Sequence, residues 1–317
     1  MAATPVVYVE GPAIKGPESS PRLEPEAVGP GVDIGAGLVP LSFDVLGYSP
    51  GEAPYGNFVH TIDTLAKDED PQYVAIGGVP ERPIVAIKKA VELILPYKAV
   101  PVVSWETAPT RDHLKDTLRA YAAEGVEQIM VAPTKVELEG KANFDQGHRL
   151  IDLLDLARQT EAIKRVGVVV RPGQRSSEQE HSMPVDAESE RLAAELKLAD
   201  FAVTQFVMEI DPYVQLIKAM REREVHTPIT PSLLLFTNPG DALHQAQKAR
   251  VIPTSELLSS AAKHREVTDW EAREASMSYN IALGRNLLRY GAPGLHIYTR
   301  NNIRWLPQLT EALKTGL

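Results

Sequence analysis

From Leu38 onward, short apolar runs bounded by turn residues alternate with longer amphipathic stretches, and this alternation limits the possible folds more than any other feature. The runs are Leu38–Val45, Tyr73–Ile76, Ala99–Ser104, Gln128–Ala132, Val166–Val170, Phe201–Phe206, Pro228–Leu235 and Gly294–Tyr298. Their apolar character is continuous rather than alternating, which suits strands covered on both faces, as in a parallel sheet. The intervening stretches carry helical spacing. Ile84, Ile87, Val91 and Leu95 share one face, as do Leu114, Leu118, Tyr121 and Ala122. The same spacing recurs in Leu150, Leu153, Leu154 and Ala157, in Leu192, Leu196 and Leu198, and in Tyr213, Leu216, Ile217 and Met220. Helices are also predicted over 241–250, 254–263, 268–290 and 307–313. Repeated βα units imply right-handed crossovers. Eight of them favour an α/β fold of the (β/α)8 TIM barrel type over an open doubly wound sheet.

An open sheet would carry a glycine-rich phosphate turn after its first strand. The chain there reads Val45-Leu46-Gly47-Tyr48-Ser49-Pro50-Gly51, without that pattern. Residues 1–38, rich in proline and glycine, read as an N-terminal extension, and 39–317 as the barrel domain.

The 317 residues carry a net charge of -9, with no basic run, which makes a poor phosphate-backbone binder. There is no cysteine, which excludes disulfides, thiolate catalysis and cysteine-ligated metals. His148, His181, His226, His244, His264 and His296 show no metal-ligand spacing, so no metal site is expected. No apolar run reaches the roughly 20 residues of a membrane span, and no secretory signal is evident. The expectation is a cytoplasmic protein with a small-molecule partner, no nucleic acid and no membrane, and homo-oligomerisation is left open.

Chemistry in a (β/α)8 barrel gathers at the C-terminal ends of the strands. Polar residues at those positions include Asp44, Glu106, Lys135, Arg171, Gln205, Ser232, Tyr298 and Arg300. Asp44 is either a proton donor or acceptor with a raised pKa, or a helix cap or loop ion pair. Gln205 either satisfies a structural partner or reads the edge of a flat heterocycle. Tyr298 could stack on an aromatic ligand and Arg300 could bind a carboxylate or phosphate, unless both face solvent. His296 lies inside a strand run, where a satisfied core histidine is the common case. Glu10 and Glu106 are reserve acids.

Two segments carry a resemblance. Ala199-Asp200-Phe201-Ala202-Val203-Thr204-Gln205-Phe206, followed by Asp211-Pro212-Tyr213, resembles the sixth-strand signature of methylenetetrahydrofolate reductases. Gly291 to Asn301, with His296-Ile297-Tyr298-Thr299 at its centre, resembles that family's final strand. Leu41-Ser42-Phe43-Asp44 is similar to its first strand. The resemblance implies an oxidoreductase of one-carbon metabolism and methionine biosynthesis. Such an enzyme reduces 5,10-methylenetetrahydrofolate to 5-methyltetrahydrofolate with NAD(P)H, through FAD as a flavoprotein. By position, Asp44 would replace the glutamate that protonates folate N10, and Gln205 would bind the pterin. Tyr298, with Arg300 beside it, would shape the substrate site. Arg191 would remain for cofactor phosphates, and Lys135 and Arg171 for those phosphates or the folate tail.

The sequence departs from that family at several points. Asp44 is one methylene shorter than glutamate, about 1.5 Å, a displacement that can cost around 100-fold in rate. Gly77 and Val102 stand where the family has a flavin-contacting threonine and histidine. Pro133-Thr134-Lys135 replaces R-G-D, and Phe236 is displaced from the family's seventh-loop phenylalanine. Three chemistries follow: reduction through FAD, direct reduction by NAD(P)H without flavin, or a flavin-free folate-binding barrel with methyl transfer or other one-carbon chemistry on tetrahydrofolate.

Overall fold

The structure is a computed structural model and describes residues 39–48, 54–77, 83–133, 150–172, 185–249, 251–255, 257–259 and 268–315. Eight strands close into a barrel in sequence order, and every neighbouring pair is parallel. They are β1 (Leu41–Leu46), β2 (Val74–Gly77), β3 (Ala99–Val103), β4 (Gln128–Val131), β5 (Arg165–Val170), β6 (Phe201–Phe206), β7 (Ile229–Leu234) and β8 (Leu295–Tyr298). Around them lie α1 (Tyr55–Thr64), α2 (Pro83–Leu93), α3 (Arg111–Ala123), α4 (Leu150–Arg158) and α5 (Val185–Lys197). The ring is completed by α6 (Asp211–Arg221), α7 (Pro239–Ala249), α8 (Asp269–Arg289) and α9 (Leu306–Thr315).

The continuous apolar runs pack on two sides at once. One side chain set from each strand fills the barrel, with Tyr73, Ala75, Val100, Met130, Phe201 and Val203 in contact there. The alternate set, including Phe43, Val45, Val74, Ile129 and Val168, meets the helices. Space inside is tight at the base. A Cβ on Gly167 would sit 2.3 Å from the Phe201 ring, so β5 needs glycine there. The Arg165 guanidinium lies over the other part of that packing, 5.1 Å from the Phe201 centroid. On the outside, a Cβ on Gly284 of α8 would meet Leu313 at 2.6 Å, which explains how closely α8 approaches α9.

Several boundaries differ from the pattern of apolar runs. β1 begins at Leu41, after Pro40, and runs past Asp44 to Leu46. Asp44 is therefore inside a strand, not at its end. β7 is Ile229–Leu234, shorter than its apolar run at both ends. Leu198 lies just past α5, which ends at Lys197. α1 has no counterpart in the periodicity reading, although Phe58, Ile62 and Leu65 mark its buried face. It ends in a π turn, Leu65–Glu69, and the buried Glu69 carboxylate binds Thr310 and Lys314 of α9. The start of α8 is well defined: Thr268 and Glu271 form a reciprocal capping box. Of the helix expected over 254–263, Thr254, Ser255 and 257–259 are described; Thr254 lies outside the helix and the others are helical.

Candidate functional site at the barrel mouth

A pocket opens at the C-terminal end of the strands. Its walls enclose about 600 Å³, the open mouth included. Asp44 of β1, Gln205 of β6, and His296 and Tyr298 of β8 supply its polar side. Val102, Met130, Ala132, Pro133 and Val169, from β3 to β5 and the turn after β4, supply an apolar side. Arg171, just past β5, completes the lining. The closed barrel explains the grouping. β6, β7, β8 and β1 are consecutive around the ring, and Asp44 is in register with Tyr298.

Each polar group has a distinct environment. The Asp44 carboxyl lies deep among these walls, and burial pushes its pKa up from 3.8 to about 7. Among the described residues no side-chain hydrogen bond to it holds the ionised form, so near neutrality it can carry a proton and release it. Tyr298 is pushed well above the ordinary tyrosine range, first by burial and then by the neighbouring Asp44 and Tyr73. It stays a neutral donor. Its ring meets Phe206 edge-on at 5.9 Å and His296 edge-on at 5.5 Å. Burial lowers His296 to about 3, so it is neutral, and its Nδ1 is 2.9 Å from Ser42 Oγ. His296 is thus a satisfied core histidine whose ring also floors the pocket. Gln205 Oε1 accepts from the Phe206 N–H at 3.2 Å, which orients the amide at the pocket wall.

The turn after β8 holds the strand that carries Asp44. Thr299 Oγ1 donates to Asp44 O at 2.8 Å. Asn301 takes both backbone groups of Leu46, accepting from its N–H at 2.9 Å and donating to its carbonyl at 2.7 Å. Arg300 and Asn301 both have positive φ, 51° and 59°, so the chain turns back onto β1. Thr299 is among the polar residues at the strand ends, whereas Asn301 lies beyond them. The available signal is an Asn three residues past a strand end, since Asn tolerates the left-handed region and mimics a backbone partner.

Other candidate residues do not join the pocket. Arg300 is exposed and pairs with Asp241 of α7 at 2.9 Å. Arg191 pairs along α5 with the buried Glu195 at 3.3 Å. Glu106 is exposed in the turn after β3. Ser232 is buried and bonds to Thr204 on β6 through both its N–H and its hydroxyl. Phe236 is buried beside Tyr279, outside the pocket. Glu10 and Lys135 lie outside the described residues. Among the described residues no cluster of three or more His, Asp or Glu could hold a metal ion. No helix among them is long and apolar enough to cross a membrane.

The resemblance implies FAD, and the described residues do not fit it. The walls facing Asp44 are apolar where a flavin ring would need polar contacts, with Val102 and Pro133 among them. A flavin dinucleotide also needs a cradle for its diphosphate. Arg171 donates to the Ala249 carbonyl, and Arg191 is held by Glu195.

Fold and site together define a (β/α)8 barrel with a ligand pocket at its C-terminal face, the position such barrels use for catalysis. Residues 51–314 match the methylenetetrahydrofolate reductase family, and the chain belongs to that family. The matched span begins after β1 and does not include Asp44. No curated protein matches the chain. Among solved structures, an uncharacterised Clostridium thermocellum protein that binds two copies of 5-methyl-5,6,7,8-tetrahydrofolic acid is similar in fold. It shares 11% identity at a TM-score of 0.61, over 88% of this chain and 95% of that one. The spore cortex-lytic enzyme SleL of Bacillus cereus matches at 12% identity and a TM-score of 0.48, over 87% of this chain and 73% of that one.

Proposed function

We propose that the chain binds a reduced folate in the mouth pocket and reduces 5,10-methylenetetrahydrofolate to 5-methyltetrahydrofolate, with hydride taken from NAD(P)H as a cosubstrate. The observation that carries this reading is the protonatable Asp44 carboxyl beside Gln205 and Tyr298 in one pocket, in a chain of the methylenetetrahydrofolate reductase family.

The chemistry follows from these groups. Gln205 offers an amide donor and acceptor to the pterin edge. Asp44, protonated, donates to N10 of the folate. The bond between the methylene carbon and N10 breaks, its electron pair stays on N10, and an N5 iminium forms. Hydride from the nicotinamide then reaches the methylene carbon and gives the N5 methyl group and NAD(P)+. Asp44 is left as carboxylate and regains its proton from solvent. The apolar side formed by Val102, Met130 and Val169 excludes water from the iminium, which water would otherwise trap. A cosubstrate that binds and leaves each cycle does not need the tight diphosphate cradle a resident flavin needs.

One observation favours a second reading. The similar Clostridium thermocellum barrel binds 5-methyltetrahydrofolic acid, the methylated form, which would suit methyl transfer. The test is NAD(P)H oxidation by the desalted protein with 5,10-methylenetetrahydrofolate, with and without added FAD. Oxidation matched by 5-methyltetrahydrofolate formation without FAD is the expected result. Activity only with FAD would overturn the direct route. Folate binding with no reduction under either condition would favour methyl transfer.

A further inference from the structure

His296 has one ring nitrogen that the barrel packing uses and one that it leaves to the pocket. Nδ1 is 2.9 Å from the Ser42 hydroxyl. Nε2 bonds to no other described residue and is not sealed in, so it opens on the pocket that the ring lines. Two aromatic rings fix the imidazole plane: Tyr73 stacks on it at 5.9 Å and Tyr298 meets it edge-on at 5.5 Å. The position is set by strand pairing, since Ser42 of β1 is in register with His296 of β8.

The groups beneath the ring decide which nitrogen carries the proton. The Tyr73 hydroxyl forms a side-chain hydrogen bond with Ser42, while burial pushes Tyr73 up to about 12. Tyr73 therefore keeps its proton and donates to the Ser42 oxygen. Ser42 has a single proton of its own to donate, and Nδ1 receives it. Burial holds His296 neutral, down at about 3, and a neutral imidazole has one N–H. That N–H is on Nε2, because the bond made by the other nitrogen sets the tautomer. The row Tyr73–Ser42–His296 thus ends in a fixed donor on the pocket floor.

Asp44 is in register with Tyr298, two residues beyond His296, so the donor lies about 7 Å deeper along β8 than the Asp44 level. In 5,10-methylenetetrahydrofolate the methylene joins N5 to N10, and the 4-oxo oxygen is the ring acceptor next to N5. With N10 beside Asp44 and the pterin edge at Gln205, that oxygen is the acceptor a floor donor meets. We propose that His296, through Nε2–H, reads the 4-oxo oxygen of the pterin and selects 4-oxo over 4-amino pteridines, with Ser42 and Tyr73 as positioning residues that set its tautomer. The proposal rests on the folate reading of the pocket. A 4-amino group would set a donor against the Nε2 donor and leave both unpaired away from water.

The test has two arms. Heteronuclear NMR of the ligand-free full chain with isotope-labelled histidine reports the tautomer of His296, whose signals are assigned by their loss in His296→Gln. Wild type is expected in the Nε2–H form and Ser42→Ala in a mixture of both forms. Wild type protonated on Nδ1 overturns the proposal whatever the pocket binds. Calorimetry then compares 5-methyltetrahydrofolate with its 4-amino analogue. Wild type is expected to favour the 4-oxo compound by about 10- to 100-fold. In Ser42→Ala, a buried position that does not line the pocket, the preference falls to about threefold or less. Tyr73→Phe keeps the ring packed against Phe201 at 5.4 Å and lowers the preference partway, so it serves if Ser42→Ala does not fold. Equal binding of the two pteridines by wild type overturns the proposal, as does an undiminished preference in the folded variants. Failure of wild type to bind either pteridine, with the Nε2–H form present, removes the folate reading and the ligand assignment together, a result distinct from equal binding.

Discussion

The side chain of Asn301 brackets the backbone of Leu46, accepting from its N–H at 2.9 Å and donating to its carbonyl at 2.7 Å. The amide thereby acts as one more residue of β8, extending the ladder beyond Tyr298 to the end of β1. Asp44 sits between this bracket and the Thr299 hydroxyl bonded to its own carbonyl.

Replacing Asn301 separates the bracket from the backbone strain. Asn301→Ala loses both hydrogen bonds and puts alanine at a φ of 59°, and should cost about 2–3 kcal/mol of stability. Asn301→Gly loses the bonds but relieves the φ, and should cost about 1–2 kcal/mol. Urea unfolding of the three proteins measures both steps, and equal stability of alanine and glycine variants would show that the positive φ carries no strain.

Asp44 links stability to pH. Its folded pKa is raised from 3.8 to about 7, so the folded state holds the proton more tightly than the unfolded chain. Wild type therefore loses stability as pH rises through that interval. Asp44→Asn cannot ionise and escapes the loss. The variant should be more stable than wild type at pH 8 by about 2–4 kcal/mol, with the gap closing toward pH 4. Denaturant melts across pH read this directly; a constant difference between the two proteins would mean that Asp44 titrates at its ordinary value.

Gln205 is at the pocket wall, and among the described residues its amide has one bond, accepting from the Phe206 N–H. Gln205→Ala should weaken 5-methyltetrahydrofolate binding by about tenfold, through loss of the pterin contacts, with little change in melting temperature. A large loss of stability with unchanged affinity would instead make the amide a structural group.

Arg300 should matter little to ligand binding. Its pair with Asp241 is exposed, with side chains 39% and 49% accessible, and such pairs contribute about 0–1 kcal/mol. Its φ is 51°, so Arg300→Gly relieves strain and should leave stability level or slightly improved. Folate affinity measured on the same variant should match wild type; a marked loss would return Arg300 to the substrate site.

The barrel was legible because buried parallel strands leave continuous apolar runs, and each of the eight runs holds a strand of the closed sheet. Boundaries shifted where local chemistry outweighed hydropathy, as at Pro40 before β1 and at the end of α5. The pocket residues Asp44, Gln205, Tyr298 and Arg171 were legible because the C-terminal parts of the strands converge on one mouth, although Asp44 and Gln205 lie within β1 and β6 rather than at their ends. Arg300 and Arg191 were not separable from them in sequence. What distinguishes them in the structure is pairing with Asp241 and Glu195, one across elements and one along a helix. The bracket by Asn301 was hidden because it depends on a left-handed turn returning to a strand 255 positions earlier in the chain.

The most direct test of the central claim is a single-turnover measurement of 5-methyltetrahydrofolate formed from 5,10-methylenetetrahydrofolate and NAD(P)H, in wild type and Asp44→Asn, from pH 6 to pH 9. Wild type is expected to form product at a rate that falls as pH rises through about 7. Asp44→Asn should be slower by about 100-fold or more at pH 6 while still binding 5-methyltetrahydrofolate. Equal rates in the two proteins, or a wild-type rate that rises with pH across this range, would contradict Asp44 as the acid that opens the folate ring.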